Sequence, residues 1–132
     1  MKILTLIIKQ VYFDAIMSGE KTQEFREVRP STVKRLIQID DDGYEITDED
    51  GNSLPIVYDA IRFYVGYQHD RDSALVEIKS AYTEVFVDED GYPYVYEYGT
   101  DKDGNPLEWM EEQVVYNLGK ILEKDIKPKA KK

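Results

Sequence analysis

The sequence predicts an α+β fold, and three observations carry that prediction. Ile3 to Ile8 reads "ILTLII", a β-branched and aliphatic run broken only by Thr5, which is the composition of a buried strand. Directly after it, Val11, Phe13, Ile16 and Met17 recur at mixed three- and four-residue spacing ahead of Gly19. That is the pattern of an amphipathic helix closed by a left-handed glycine cap. Further along, strand-like pieces alternate with Asp-Gly turns, the strongest short-range hairpin signal. A chain of 132 residues with 42 % hydrophobic content suits one folded domain with a sizeable core.

The elements follow in order. The helix is expected over Gln10–Ser18, and a strand over Thr22–Val28, with Phe25 facing opposite to Glu24 and Arg26. Pro30 and Ser31 open a second short helix, "STVKRLIQ", with Ser31 or Thr32 as cap and Val33, Leu36 and Ile37 turned inward. Asp-x-Asp-Gly then occurs four times, at 40–43, 48–51, 88–91 and 101–104. A calcium loop of the EF-hand kind needs glycine at its sixth position and a bidentate glutamate at its twelfth. Here glycine follows the second aspartate directly, so these are turns, in two hairpin regions at 40–54 and 86–106.

Longer strands read at "DAIRFYVGY" and "ALVEIKSAYTEVFV". In "YPYVYEYG", Tyr92, Tyr94, Tyr96 and Tyr98 fall on alternate positions, so a strand would present four phenols on one face. Such a face suits cross-strand packing, and it also suits stacked bases; Pro93 marks it as an edge. A helix is expected from Glu108 to Asn117 with Trp109, Val114 and Val115 inward. "LGKILEKDI" is open between more helix and a final strand. The lysine-rich tail at 127–132 reads as disordered, leaving 1–126 as a single domain.

Charge is unevenly spread. Residues 1–39 hold seven basic and four acidic side chains, residues 40–112 four and twenty-one, and residues 113–132 six and two. The net charge of −10 argues against nonspecific binding of long nucleic acids, yet both ends are basic and leave room for a local cationic site. The chain has no cysteine, which excludes disulfides, thiolate catalysis and cysteine-ligated metals. The N-terminal apolar run is interrupted at Lys9 and Gln10. It is too short for a signal peptide or a membrane span, so a cytoplasmic protein without membrane contact is expected.

The chemistry concentrates where helix meets strand. On a strand, Thr22, Glu24 and Arg26 share one face, and Lys21 stands at its start, where the turn after Gly19 can bring its amine beside Glu24. Lys21 and Arg26 offer positive charge to a phosphate or carbonyl oxygen, and Glu24 offers an acceptor to a base edge. Glu77, in "LVEIKS", is a matching inward carboxylate on a later strand. The plainer alternative is surface ion pairs worth about 0–1 kcal/mol each. Tyr67 and Gln68 follow a glycine at a strand end, where ligand contacts gather. His69, the one histidine, sits in the loop "GYQHDRDS", a setting more typical of an exposed residue than of a catalytic one. Glu24 and Glu77 could equally be two carboxylates for a magnesium ion, a weak case on two ligands of unknown geometry, and neither a metal nor another cofactor is expected.

The segment "LIIKQVYFDAIMSGEKTQEFREVRP" resembles the ASCH domain family, whose hallmark is a strand ending in lysine, a helix, and Gly-x-Lys-Thr-x-Glu-x-Arg. Lys9, Gly19, Lys21, Thr22, Glu24 and Arg26 stand at those positions. The resemblance extends through "DAIRFYVGY", "ALVEIKSAYTEV" and "VVYNLGKIL", with the hairpin regions as insertions. It implies a small PUA-like β-barrel with helices near its mouth, binding RNA, a nucleotide or a modified nucleoside there through Lys9, Lys21, Thr22, Glu24, Arg26, Tyr67 and Gln68. Some relatives are amidohydrolases acting on N4-acylated cytidines, with Lys, Thr and Glu in the site, and others are linked to RNA cleavage. Lys21 matches that lysine and Glu77 that glutamate, but Glu24 stands where the enzymes carry threonine. A hydrolytic scheme in this chain would rest on Lys21, Glu24 and Glu77. A third reading makes the acidic hairpins a protein-interaction scaffold.

Overall fold

Strand β1 (Ile3–Ile8) turns Leu4, Leu6 and Ile8 inward on every second residue, as a half-buried strand must. The computed structural model describes residues 1–128, and in it β1 pairs in parallel with β3 (Ala60–Val65), from Ile3 opposite Ala60 to Ile8 opposite Val65. Parallel neighbours require a crossover. Helix α1 (Gln10–Ser18) begins it, burying Phe13 and Ile16 and stopping at Gly19, whose φ of 86° lets its N–H reach the Ile16 carbonyl. Gly66, at φ 65°, starts the turn from β3 into antiparallel β4 (Ser73–Val85), with Ala60 opposite Glu77 and Tyr64 opposite Ser73. With β2 (Gln23–Val28) and β7 (Glu112–Asp125) these strands form a five-stranded sheet of order β1-β3-β4-β7-β2. The order ends on β1 and β2, and among the described residues no pairing closes it into a barrel. A separate two-stranded sheet pairs β5 (Val95–Thr100) with β6 (Pro106–Met110).

The chain divides into two compact units. The first holds 1–24, 57–80 and the chain from Tyr116 onward, around Leu6, Phe13, Ile61, Phe63, Val76 and Tyr116. The second holds 25–56 and 81–115, around Val28, Leu36, Ile37, Val114 and Val115. No helix among the described residues is long and apolar enough to cross a membrane. Lys127, where the basic tail was expected to begin, donates its N–H to Asp72 at 2.8 Å and pairs with Asp125 at 2.7 Å; residues 129–132 lie outside the described residues.

All four Asp-x-Asp-Gly segments are built alike. In each, the first aspartate's Oδ1 accepts the N–H groups two and four residues on, at 2.9–3.0 Å. Its backbone N–H reaches the carbonyl four residues ahead, at 2.8–2.9 Å, and the glycine adopts positive φ. Aspartate is therefore chosen for its short acceptor and glycine for its freedom at that φ.

Three expectations change. The predicted helix 108–117 is instead the end of β6 and the start of β7. Val114, Val115 and Tyr116 are β-formers that the sheet buries completely on both faces, and Trp109 to Val114 is five residues, a spacing no helical stripe uses. The second helix, α2, shrinks to Val33–Leu36 without a side-chain cap, because the Thr32 hydroxyl accepts the Arg29 N–H at 3.0 Å instead. Of the four tyrosines expected on one strand, only Tyr96 and Tyr98 lie within β5; Pro93 bridges Val87, and Tyr92 closes the turn before it.

The second unit buries a carboxyl pair. Glu112 is 2 % exposed at the start of β7. Burial first, then a hydrogen bond to Glu45 and that residue's charge, push its carboxyl up to about 8, against a smaller opposing hydrogen bond from Ser53. The folded chain thus keeps a proton that the unfolded chain releases near 4.5. Stability from this group is fully present below that value and is lost as pH climbs to about 8. Glu112→Gln should therefore melt progressively higher than the unsubstituted protein as pH rises from 5 to 8.5. A gap of about 5 °C corresponds to about 1 kcal/mol at this size. Melting curves whose difference does not grow with pH would refute the shared proton.

Candidate functional site

The first unit contains a cavity of about 380 Å³ between the C-terminal turn of α1, the segment leading into β2, and strands β4 and β7. Its apolar walls are Ile16, Met17, Val76, Leu118 and Ile121, and its polar groups come from Ser18, Lys21, Thr22 and Lys120. That size lies within the range of small-ligand sites. Each boundary has a local cause. Gly19 ends the helix, the Lys21 N–H returns to the Ala15 carbonyl at 3.0 Å, and the Thr22 carbonyl accepts the Leu118 N–H at 2.9 Å. The chain is thus tied to α1 on one side and to β7 on the other before it enters β2.

Strand β2 inverts the usual rule of polarity. Glu24 is 6 % exposed, while its neighbour Phe25 is 44 % exposed. The Lys21 ammonium explains how a carboxylate can be held there, standing 3.5 Å from Glu24 Oε1 and 5.7 Å from the centre of the Tyr12 ring. With side-chain exposures of 20 % and 7 %, this is a largely desolvated pair rather than a surface one. Glu24 does not line the cavity. It aims Lys21, which does, so its role toward any ligand runs through the lysine.

Glu77 enters from β4. Its carboxylate lies against the backbone of β7, accepting the Lys120 N–H at 3.4 Å. Gly119 makes this possible, because a Cβ at that position would collide with Glu77 Oε1 and stand 3.0 Å from Lys79 Cγ. Gly119 and Lys120 were missed from the sequence; a glycine inside a strand marks a close approach, and that is the signal in "NLGKIL" that could have found them.

The other expected residues are placed elsewhere. Lys9 is exposed at the N-cap of α1, where its carbonyl rather than its amine is used. Arg26 is half-buried on β2 and belongs to the second unit. Tyr67, 86 % exposed, and Gln68 sit in the β3–β4 turn and do not line the cavity. His69 is exposed beside them. No cluster of three or more histidine, cysteine or carboxylate side chains suited to a metal occurs among the described residues.

Gly119→Ala should move the Glu77 carboxylate off β7 at little cost, since the flexible end of Glu77 must yield and the Lys79 stem need give only slightly. The Lys120 amide proton should shift upfield in Gly119→Ala and in Glu77→Ala alike, with melting points within about 5 °C of the parent, about 1 kcal/mol. An unmoved Lys120 resonance would show that the carboxylate is not held there. Comparison with family models, with curated proteins and with solved structures finds no match for this chain.

Proposed function

We propose that the cavity at the end of α1 binds a nucleotide, a modified nucleoside or a short single-stranded RNA, in a cytoplasmic protein with an ASCH-like, PUA-related site. One observation carries the reading. β2 buries the carboxylate of Glu24 and exposes Phe25, and the buried carboxylate holds a lysine at a cavity wall. Lys21 and Lys120 supply cations for a phosphate or a carbonyl oxygen. The carbonyl end of α1 supplies acceptor character for an amino edge. Ile16, Val76 and Leu118 offer apolar surface to the base itself. A ligand presenting all three kinds of group is a nucleobase bearing a phosphate.

A hydrolytic reading is supported by Glu77, which does not line the cavity but accepts the N–H of the lining residue Lys120, and which would serve as the base toward water. Water would add to the acyl carbon of an N4-acylated cytidine while Lys21 stabilises the developing oxyanion, and the cytosine amine would leave with the proton.

Proton NMR of N4-acetylcytidine with the full chain separates the readings. Free acetate that disappears in Glu77→Ala marks a hydrolase, and broadening without acetate marks a binder. For a short RNA oligomer, Lys21→Met and Lys120→Ala should each weaken binding about tenfold, about 1.4 kcal/mol. If the two lysines meet two phosphates, log Kd should rise with log salt with a slope of about 1.4. Lys120 is exposed, so its substitution leaves the fold untouched and keeps the test decisive. Affinity indifferent to both lysines would remove nucleotides as the ligand of this cavity.

A further inference from the structure

The second unit is far more acidic than the chain as a whole. It holds five basic and eighteen acidic residues, a net charge of −13, while the first unit carries twelve and nine, a net of +3. Within the second unit, the β5–β6 ribbon has two unlike faces. One is seated: Trp109 stands opposite Tyr96, meets the Tyr98 ring edge-on at 5.9 Å, and donates its indole N–H to the Val28 carbonyl at 2.9 Å. The other is open. Val95 and Met110 stand opposite one another at 52 % and 42 % exposure. Two residues along, Glu97 and Glu108 form the next pair on that face, both exposed.

Like charges directly across a ladder destabilise it, since their Cβ atoms are only about 5 Å apart. A solvated hairpin has no structural need for that arrangement beside an exposed apolar pair. A cation laid between the two carboxylates relieves the repulsion, and an apolar side chain next to it covers Val95 and Met110. We propose that this open face docks a basic protein segment, one that places an arginine or lysine between Glu97 and Glu108 and an apolar residue on Val95 and Met110. The charge of the unit selects the sign of the partner: a nucleic acid would meet −13, a cationic protein would be drawn in.

The test uses the full chain and a ten-residue peptide in which arginine and valine recur two residues apart on one strand face, separated by alanines (Arg-Ala-Val-Ala repeated). The amides of 95–97 and 108–110 should shift saturably, and the single tryptophan, on the opposite face of the same ribbon, should report binding by emission. Glu97→Lys with Glu108→Lys keeps a like-charge pair, so ribbon stability is preserved, and should weaken binding at least tenfold. Glu89→Lys with Asp90→Lys makes the same charge change in an exposed turn and should change affinity less than threefold. Equal losses in both double variants would reduce the effect to diffuse attraction and overturn the proposal. So would ribbon shifts produced by a short RNA, or by raising the protein's own concentration, which would make the occupant a nucleic acid or a second copy.

Discussion

A strand with neighbours on both sides must satisfy its backbone along both edges, and β7 is such a strand, lying between β4 and β2 in the sheet. Its side chains follow from that position. Val114, Val115 and Tyr116 are fully buried, so both faces are covered over that stretch. From Lys120 to Asp125 every residue is exposed. Gly119 stands at the change between the two regimes, and it is there that a carboxylate from β4 lies on the backbone and a cavity opens. The candidate site is thus a consequence of where the interior strand ceases to be interior.

The parts of this structure that were legible in the sequence are those governed by local rules. β1 is announced by its aliphatic run, α1 by its apolar spacing and its glycine, and the four turns by aspartates that bond their own backbone. Lys21 and Glu24 were legible as a pair because they stand three positions apart, just after the turn at Gly19. What stayed hidden depends on partners distant in sequence. Nothing near Val114 says that ladders wait on both sides of it, so "EEQVVYNL" passes for a helix. The carboxylate of Glu77 meets the backbone of Lys120 across 43 residues. Glu112 looks like one more surface acid until Glu45 and Ser53 close on it.

Buried charge appears in both units, and it is handled differently in each. In the first, Glu24 is met by a lysine 3.5 Å away, and the pairing fixes the ammonium at a cavity wall. In the second, Glu112 meets another glutamate, and the strain is relieved by retaining a proton. The first arrangement places an ion pair beside a cavity. The second makes the same fold sensitive to alkali without offering a ligand anything, because the proton is shared internally. Buried acidity is therefore informative only together with what faces it.

The same distinction governs the long-range field. A net charge of −10 penalises a polyanion at any distance shorter than the screening length, about 8 Å at physiological salt. A nucleoside carries no such penalty, and a nucleotide or a few linked residues carry little. A duplex must bring one charge for every ~1.7 Å of its axis. Two lysines at a cavity of about 380 Å³ are enough to hold one phosphate group, and far too few to offset that density. On the proposed reading, the acidic surface would act as a size filter, favouring small or short anionic ligands over long ones. A single cavity with two lysines on a neutral protein would have no such discrimination.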